Sequence, residues 1–190
     1  MSEKQNRTRN WSTIVYPESA TENWIMLLEE MKLPCFISPL HDKDINPTGE
    51  PKKAHYHVIF AFEGPKTKEQ IQTIVTAIGG VGCEKVSSLR AYARYLIHLD
   101  NPTKAQYKAE DVLALGGLDY YAQICSVADK YASIADMIDF CETNQIRSYA
   151  QLLKYCKDER QDWFRVLCDN GTYVLKEFLK SADWTDRHTS

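Results

Sequence analysis

The feature that most constrains the fold of this chain is the run KKAHYHVIFAF at residues 52–62, in which polar and apolar side chains alternate. Such alternation, in a segment rich in aromatic and β-branched residues, predicts a β-strand. Side chains two positions apart on a strand point to the same face, so His55 and His57 are predicted to project side by side. Their Cα atoms would lie about 7 Å apart, which is close enough for both imidazoles to share one divalent ion.

A second group of polar residues precedes this strand. The apolar run PCFISPL at residues 34–40 predicts another strand, and His41 and Asp44 lie at its end, before a loop marked by NPTGEP. If the two strands are neighbours, all four side chains converge on one side of a sheet. A lone histidine is usually an ordinary surface or core residue, but imidazoles combined with a carboxylate suit Mn²⁺, Mg²⁺, Zn²⁺ or Fe²⁺ without choosing among them.

The order of the predicted elements indicates an α+β protein. Strands are predicted at WSTIVYP, CFISPL, AHYHVIFAF and VGCEKVS, and amphipathic helices at residues 20–32, 66–78 and 87–99. This β-α-β-β-α-β-α order places helices against one antiparallel sheet, as in ferredoxin-like or RRM-like domains. Residues 101–118 are predicted to form an irregular connection, and the helical patterns beyond it predict a small all-α C-terminal region. We therefore expect two domains, 1–118 and 119–190.

Charge is distributed unevenly between the two parts. Residues 1–109 contain 14 Lys and Arg against 12 Asp and Glu, whereas residues 110–190 contain 9 against 14. A polyanionic partner would therefore contact the first part. No apolar run approaches the roughly 20 residues that span a bilayer, and the polar amino terminus lacks the apolar core of a signal peptide. We expect a cytoplasmic protein with no membrane partner.

The helix predicted at residues 87–99 offers a reaction partner for a metal site. Tyr95 lies at the border of the face expected to pack on the sheet, and Tyr92 lies nearer the centre of that face. A metal ion withdraws charge from the non-bridging oxygens of a phosphodiester. Attack by a tyrosine then forms a covalent intermediate and divides one transfer into two. Tyrosines are common in amphipathic helices, so Tyr95 becomes a candidate only in company with the four predicted ligands.

Three separated blocks of this sequence resemble a known family. ISPLHDKD, KKAHYHV and RAYARYLIHLDNP are similar to the HUH endonuclease domain of replication initiators from small rolling-circle plasmids of bacteria, in the RepB-like group. HUH denotes two histidines around a hydrophobic residue, here His55-Tyr56-His57. The blocks follow the family's order, with nearly its spacing, over about residues 10–118, and YPES and KAQY agree with it. The central Tyr56 departs from the usual aliphatic residue.

The resemblance implies a specific activity. The four predicted ligands would hold Mn²⁺ or Mg²⁺, and Tyr95 would be the nucleophile, with Tyr92 as the alternative. Such initiators bind the plasmid's double-strand origin, cleave one strand in an exposed hairpin loop, stay attached to the 5′ phosphate and later rejoin the ends. In relatives the C-terminal part mediates oligomerisation, so a homo-oligomer is implied. DNA contacts are expected from Arg7, Arg9, Lys52, Lys53, Arg90 and Arg94.

Other classes of protein use similar residues. A cupin-like oxygenase also carries H-x-H on a strand, but it needs a further Glu and a distant His on many regularly spaced strands, and half of this chain is helical. A non-catalytic DNA-binding or copy-control protein with the same fold would lack a ligand or the tyrosine, and none is missing. An HUH transposase or relaxase shares the chemistry, but the KAQY block and the short length favour the plasmid initiator.

Overall fold

The computed structural model describes residues 7–46 and 48–188. The chain forms two compact units, which divide between Ile124 and Cys125. The first unit therefore includes residues 119–124, which the sequence analysis assigned to the second domain. The reason is Tyr120, whose ring packs edge-on against Phe36 at 5.4 Å between centroids and whose hydroxyl donates to the Ala93 carbonyl at 2.8 Å.

The first unit is built on a five-stranded antiparallel sheet. Its strands are β1 (Arg7–Val15), β2 (Cys35–Ile37), β3 (Tyr56–Thr67), β4 (Gly80–Lys85) and β5 (Leu113–Leu115). Their spatial order is β4-β1-β3-β2-β5. The helices are α1 (Trp24–Glu30), α2 (Lys68–Ala77), α3 (Leu89–Tyr95) and α4 (Tyr120–Ile124). This arrangement confirms the predicted α+β class, and a single sheet with flanking helices excludes the cupin alternative, which is a double-sheet jelly roll.

The central strand β3 separates a hydrophobic core from the candidate site. It pairs with β1 and β2, with Ile14 opposite His57 and Ile37 opposite Val58. Val58 and Phe60 are fully buried in the core formed with α1 and α2. Because successive side chains of a strand alternate between faces, His57 points to the opposite face, where α3 lies against it.

Two segments differ from the sequence analysis. The predicted third helix ends at Tyr95 rather than near Leu99, because residues 96–100 form turns in which His98 adopts the left-handed conformation, with φ of 57°. The connection predicted to be irregular contains the short strand β5, which pairs antiparallel with β2. Both features depend on contacts between distant parts of the chain.

The second unit is helical, as predicted. It contains α5 (Val127–Thr143), α6 (Tyr149–Glu159), α7 (Gln161–Val166) and α8 (Thr172–His188), with a π-helical segment at Leu167–Gly171. Its core includes Met137, Cys141, Leu152 and Leu175, whereas the neighbouring Val174 is 46% exposed. No helix in the described ranges is long and apolar enough to cross a membrane.

Candidate functional site

The four predicted ligands lie together and are buried. His41, Asp44, His55 and His57 are all at most 8% exposed. The strand pairing continues beyond β2, because the His41 N–H donates to the His55 carbonyl at 2.9 Å and the His55 N–H donates back at 3.3 Å. The neighbouring strands therefore bring His41, His55 and His57 together on one side of the sheet, and the Asp44 carboxylate lies 3.6 Å from His41 Nδ1.

Backbone carbonyls fix which nitrogen of each ring is protonated. His55 Nδ1 donates to the Lys53 carbonyl at 2.8 Å, and His41 Nε2 donates to the Leu96 carbonyl at 2.9 Å. A ring nitrogen that bonds a carbonyl must carry the proton. In the neutral rings, His55 Nε2 and His41 Nδ1 are then unprotonated, and each has a lone pair for a metal ion. Nε2 of His55 faces Nε2 of His57 at 3.2 Å. Histidines that bind metals are commonly oriented in this way.

His98 joins this cluster, although the sequence analysis did not include it among the ligands. It is fully buried, its Nδ1 donates to the Ala105 carbonyl at 2.8 Å, and Nδ1 lies 3.6 Å from Asp44 Oδ1. Two sets of three ligand atoms lie within 4.8 Å of one another, His41-His55-His57 and His41-Asp44-His98. The block YLIH contains this histidine, but a helix that continued through it would place the side chain on the flank of the helix, away from the sheet.

Several polar atoms in the cluster have no hydrogen-bond partner among the described residues. They are His41 Nδ1, Asp44 Oδ1, His57 Nδ1 and His98 Nε2. Buried polar atoms are normally paired, and leaving one unpaired costs about 1–3 kcal/mol. Two nitrogens bound to one ion at about 2.0–2.2 Å lie about 3 Å apart, which matches the facing Nε2 atoms of the H-x-H pair. The donor set fits a divalent cation, and the binding of one stays a prediction.

Burial lowers the pKa of two of the imidazoles, those of His41 and His57. The pKa of His57 is lowered to about 3, first by burial and then by the neighbouring rings of His41 and His55. The pKa of His41 is also lowered, again chiefly by burial. A metal ion binds the neutral imidazole, so these two rings are in the binding form at neutral pH.

Tyr95 lies against this cluster. Its ring centroid is 5.3 Å from that of His57 and 5.1 Å from that of His98. Its hydroxyl accepts a hydrogen bond from Lys104 Nζ at 3.2 Å. Tyr92 lies farther away, with 6.3 Å between its ring and that of His57, and burial raises its pKa. The geometry favours Tyr95 over Tyr92, and the role of nucleophile stays a prediction.

Tyr107, from the KAQY block, covers the other side of the cluster. Its ring stacks on His41 with 4.4 Å between centroids and an interplanar angle of 2°. Its hydroxyl accepts from the Lys43 backbone N–H at 3.2 Å. In the sequence, this block indicated only the family resemblance. The structure places Tyr107 where it packs against a candidate ligand and shields it from water.

Two of the arginines predicted to contact DNA form bonds within the protein. Arg94 binds both carboxylate oxygens of Asp100, at 2.7 and 2.8 Å, and donates to the Ile124 carbonyl at 2.8 Å. Arg90 is exposed and donates more weakly to the same carbonyl, at 3.5 Å. These contacts connect α3 to the end of α4. They favour a structural role for Arg94, and its contact with DNA stays a prediction.

The other four basic residues differ in how much of their charge is available. Arg7 and Arg9 are exposed on β1, and Lys52 is half-buried beside the candidate site. Lys53 is exposed, forms an ion pair with Glu18 and lies over the Tyr16 ring. Arg7, Arg9 and Lys52 therefore remain the best placed of the predicted DNA contacts.

Comparison with known proteins matches both units to plasmid replication proteins. The family described as "Plasmid replication protein, origin binding domain" matches residues 3–120, and "Replication protein RepB, C-terminal" matches residues 127–183. A "Replication protein" of Staphylococcus aureus is 37% identical over 182 residues, covering 95% of this chain and 92% of that relative. A "Replication protein RepB" of Lactiplantibacillus plantarum is 40% identical over 178 residues, covering 92% and 81%.

Proposed function

The chain belongs to the RepB-like family of plasmid replication initiators, and we propose that it starts replication by cutting one DNA strand at the plasmid origin. Its first unit is the family's origin-binding domain, so DNA is its partner. The observation that carries the proposal is the Tyr95 phenol, which lies against a buried cluster of imidazoles and a carboxylate.

The proposed reaction is a phosphoryl transfer to tyrosine. The phenol oxygen of Tyr95 loses its proton and bonds to the phosphorus of one phosphodiester. The bond from phosphorus to the 3′ oxygen breaks, and that oxygen gains a proton. The 5′ phosphate stays on the protein, and the free 3′ hydroxyl serves as a primer. Because the phosphotyrosine stores the energy of the cleaved bond, the reverse attack by a 3′ hydroxyl can rejoin the strand.

The other residues of the site have separate proposed roles in binding the metal ion, orienting the rings and positioning the phenol. His41, Asp44, His55 and His57 would hold Mn²⁺ or Mg²⁺, with His98 beside them. When bound, the ion supplies charge withdrawal from the non-bridging phosphate oxygens. The carbonyls of Leu96 and Lys53 keep two of these rings in one orientation. Lys104 holds the phenol oxygen of Tyr95 and places a positive charge next to the attacking atom.

A covalent adduct tests the proposal. Purified protein with Mn²⁺ and a single-stranded oligonucleotide from its origin should give a protein–DNA adduct that survives a denaturing gel. Tyr95→Phe should abolish the adduct while keeping binding to duplex origin DNA, because only the attacking oxygen is removed. Tyr92→Phe is the matched control and should retain the adduct.

The opposite pattern would reassign the nucleophile. If Tyr92→Phe loses the adduct and Tyr95→Phe keeps it, the alternative tyrosine is the one that attacks. If wild-type protein binds the origin but forms no adduct with any divalent ion, the chain is a DNA-binding protein without nicking activity. Self-assembly through the helical unit stays a prediction, and sedimentation of the full chain measures it.

A further inference from the structure

A small cavity lies beside the histidine cluster. It has a volume of about 100 Å³, and three lysines contribute to its lining together with Asp44 and Thr103. Lys43 and Lys52 come from the loop between β2 and β3, and Lys104 comes from the loop after α3. Lys43 and Lys104 were not among the residues predicted to contact DNA.

The backbone around these lysines is held by hydrogen bonds. The Lys52 N–H donates to the Asp44 carbonyl at 2.8 Å, and the Lys104 N–H donates to the Asn101 carbonyl at 3.0 Å. The Lys43 N–H donates to the hydroxyl of Tyr107 at 3.2 Å. The two loops are therefore anchored next to the cluster, and all three lysines line one cavity.

The charge of this cavity is not balanced. Three lysines and one acidic residue, Asp44, line it, and the Asp44 carboxylate lies 3.6 Å from His41 and from His98. Other lysines in the same unit have ion-pair partners, as Lys53 has Glu18 and Lys108 has Glu110. Within the described ranges, the cavity lysines form no such pair with a carboxylate. An anion would offset the excess positive charge.

The volume limits what kind of anion can enter. Pockets that enclose whole drug-sized molecules span about 300–1,000 Å³. A cavity of about 100 Å³ is therefore suited to a small group such as a phosphate rather than to a whole nucleotide. Lysine is a common phosphate binder and acts as a point charge.

We propose that the cavity lined by Lys43, Lys52 and Lys104 binds one phosphate group of the DNA strand that is cut, next to the phosphate attacked by Tyr95. This inference rests on the proposed nicking function. Lys104 connects the two sites, because its ammonium lies 3.2 Å from the Tyr95 hydroxyl and the residue also lines the cavity. Phosphate contacts of this kind set the register of a strand rather than read its sequence, so the cavity fixes which phosphodiester lies over the phenol.

The first test measures how salt weakens the binding of an oligo(dT) strand in the presence of a chelator. Each phosphate neutralised on single-stranded DNA contributes about 0.7 to the slope of log affinity against log salt. The double variant Lys43→Gln, Lys52→Gln leaves one positive and one negative residue in the cavity, Lys104 and Asp44. If the lysines share one phosphate, this variant should reduce the slope by about 0.7. A reduction of about 1.4 would mean that the two lysines bind separate phosphates, and an unchanged slope would mean that they bind none. Either result overturns the proposal.

Lys68→Gln is the matched control, because Lys68 is an exposed lysine on α2 of the same unit, and its slope should equal that of the wild type. Thermal denaturation of each variant checks that the fold is retained. Since this measurement needs neither metal nor cleavage, a slope change without any adduct from wild-type protein would refute the nicking proposal and still support a phosphate site.

The second test locates the phosphate. With Tyr95→Phe protein, which cannot form the adduct, the phosphates around the mapped cut are replaced one at a time by uncharged methylphosphonates. A methylphosphonate at one position adjacent to the cut should weaken binding about fivefold at 0.1 M salt. One phosphate contact contributes about 0.7 to the slope of log affinity against log salt, so its contribution changes by about 0.7 log units between 1 M and 0.1 M salt. The same methylphosphonate should not weaken binding further in protein that also carries Lys43→Gln and Lys52→Gln. Equal losses with and without the two lysines would refute the assignment.

Discussion

Replacing His57 should make the stability of the metal-free protein less sensitive to acid. The pKa of His57 is lowered to about 3 in the folded protein, chiefly by burial, whereas an unfolded histidine titrates near 6.5. Between these two values the unfolded chain binds a proton that the folded chain does not. The free energy of unfolding therefore decreases as the pH falls below about 6.5. One pKa unit corresponds to about 1.4 kcal/mol, so His57 costs about 2.7 kcal/mol of stability by pH 4.5.

Urea denaturation in the presence of a chelator, repeated from pH 7.5 to 4.5, measures this effect in wild-type protein and in His57→Gln. The difference between the two proteins should change by about 1.4 kcal/mol per pH unit below pH 6. His41, whose pKa is lowered in the same direction, is present in both proteins, as is the whole second unit. If both proteins lose stability in parallel, His57 is either protonated in the fold or exposed to water, and the argument from burial is wrong.

Two further predictions concern the metal and the fold. Mn²⁺ at a hundred times its dissociation constant should increase the free energy of unfolding by about 2.7 kcal/mol, and His55→Gln should remove this increase in thermal denaturation; an equal increase in both proteins would contradict the ligand assignment. Gly116→Ala should destabilise the protein by more than about 1 kcal/mol, because its φ is +65° and a Cβ would lie 2.6 Å from Pro34 Cα. Gly117→Ala, at φ +80° with open space around it, should cost less in urea denaturation.

The parts of the site that could be predicted are those encoded by local periodicity. His55 and His57 share a face because a strand repeats every two residues, and that period is visible in the sequence. The apolar residues between and after them identify the opposite face, and Val58 and Phe60 do lie in the core. Bringing His41 to this pair required only that the segment after β2 pair with the segment before β3. The backbone hydrogen bonds between His41 and His55 show this pairing.

The residues that were missed are placed by tertiary contacts. His98 enters the cluster only because α3 ends at Tyr95 and the chain turns through a left-handed residue. Tyr107 reaches its place by stacking on His41. The strand β5 has only three residues, so it has too little length for a periodic pattern. Apart from the family blocks YLIH and KAQY, none of these features has a local signal that separates it from an ordinary helix end or loop.

The position of the site is coupled to the stability of the core through the register of β3. Ile14 lies opposite His57, and Trp11 lies opposite Phe60. A slip of one residue would move every side chain of β3 to the other face. It would put the imidazole of His57 among Trp11 and the helices, and it would place Val58 among the polar groups of the site face. Both changes are unfavourable, because one buries an unpaired polar ring and the other removes an apolar side chain from the core. The core residues that stabilise the sheet therefore also hold the histidines beneath Tyr95, and a substitution in the core that allowed such a slip would disrupt the site without altering any of its residues.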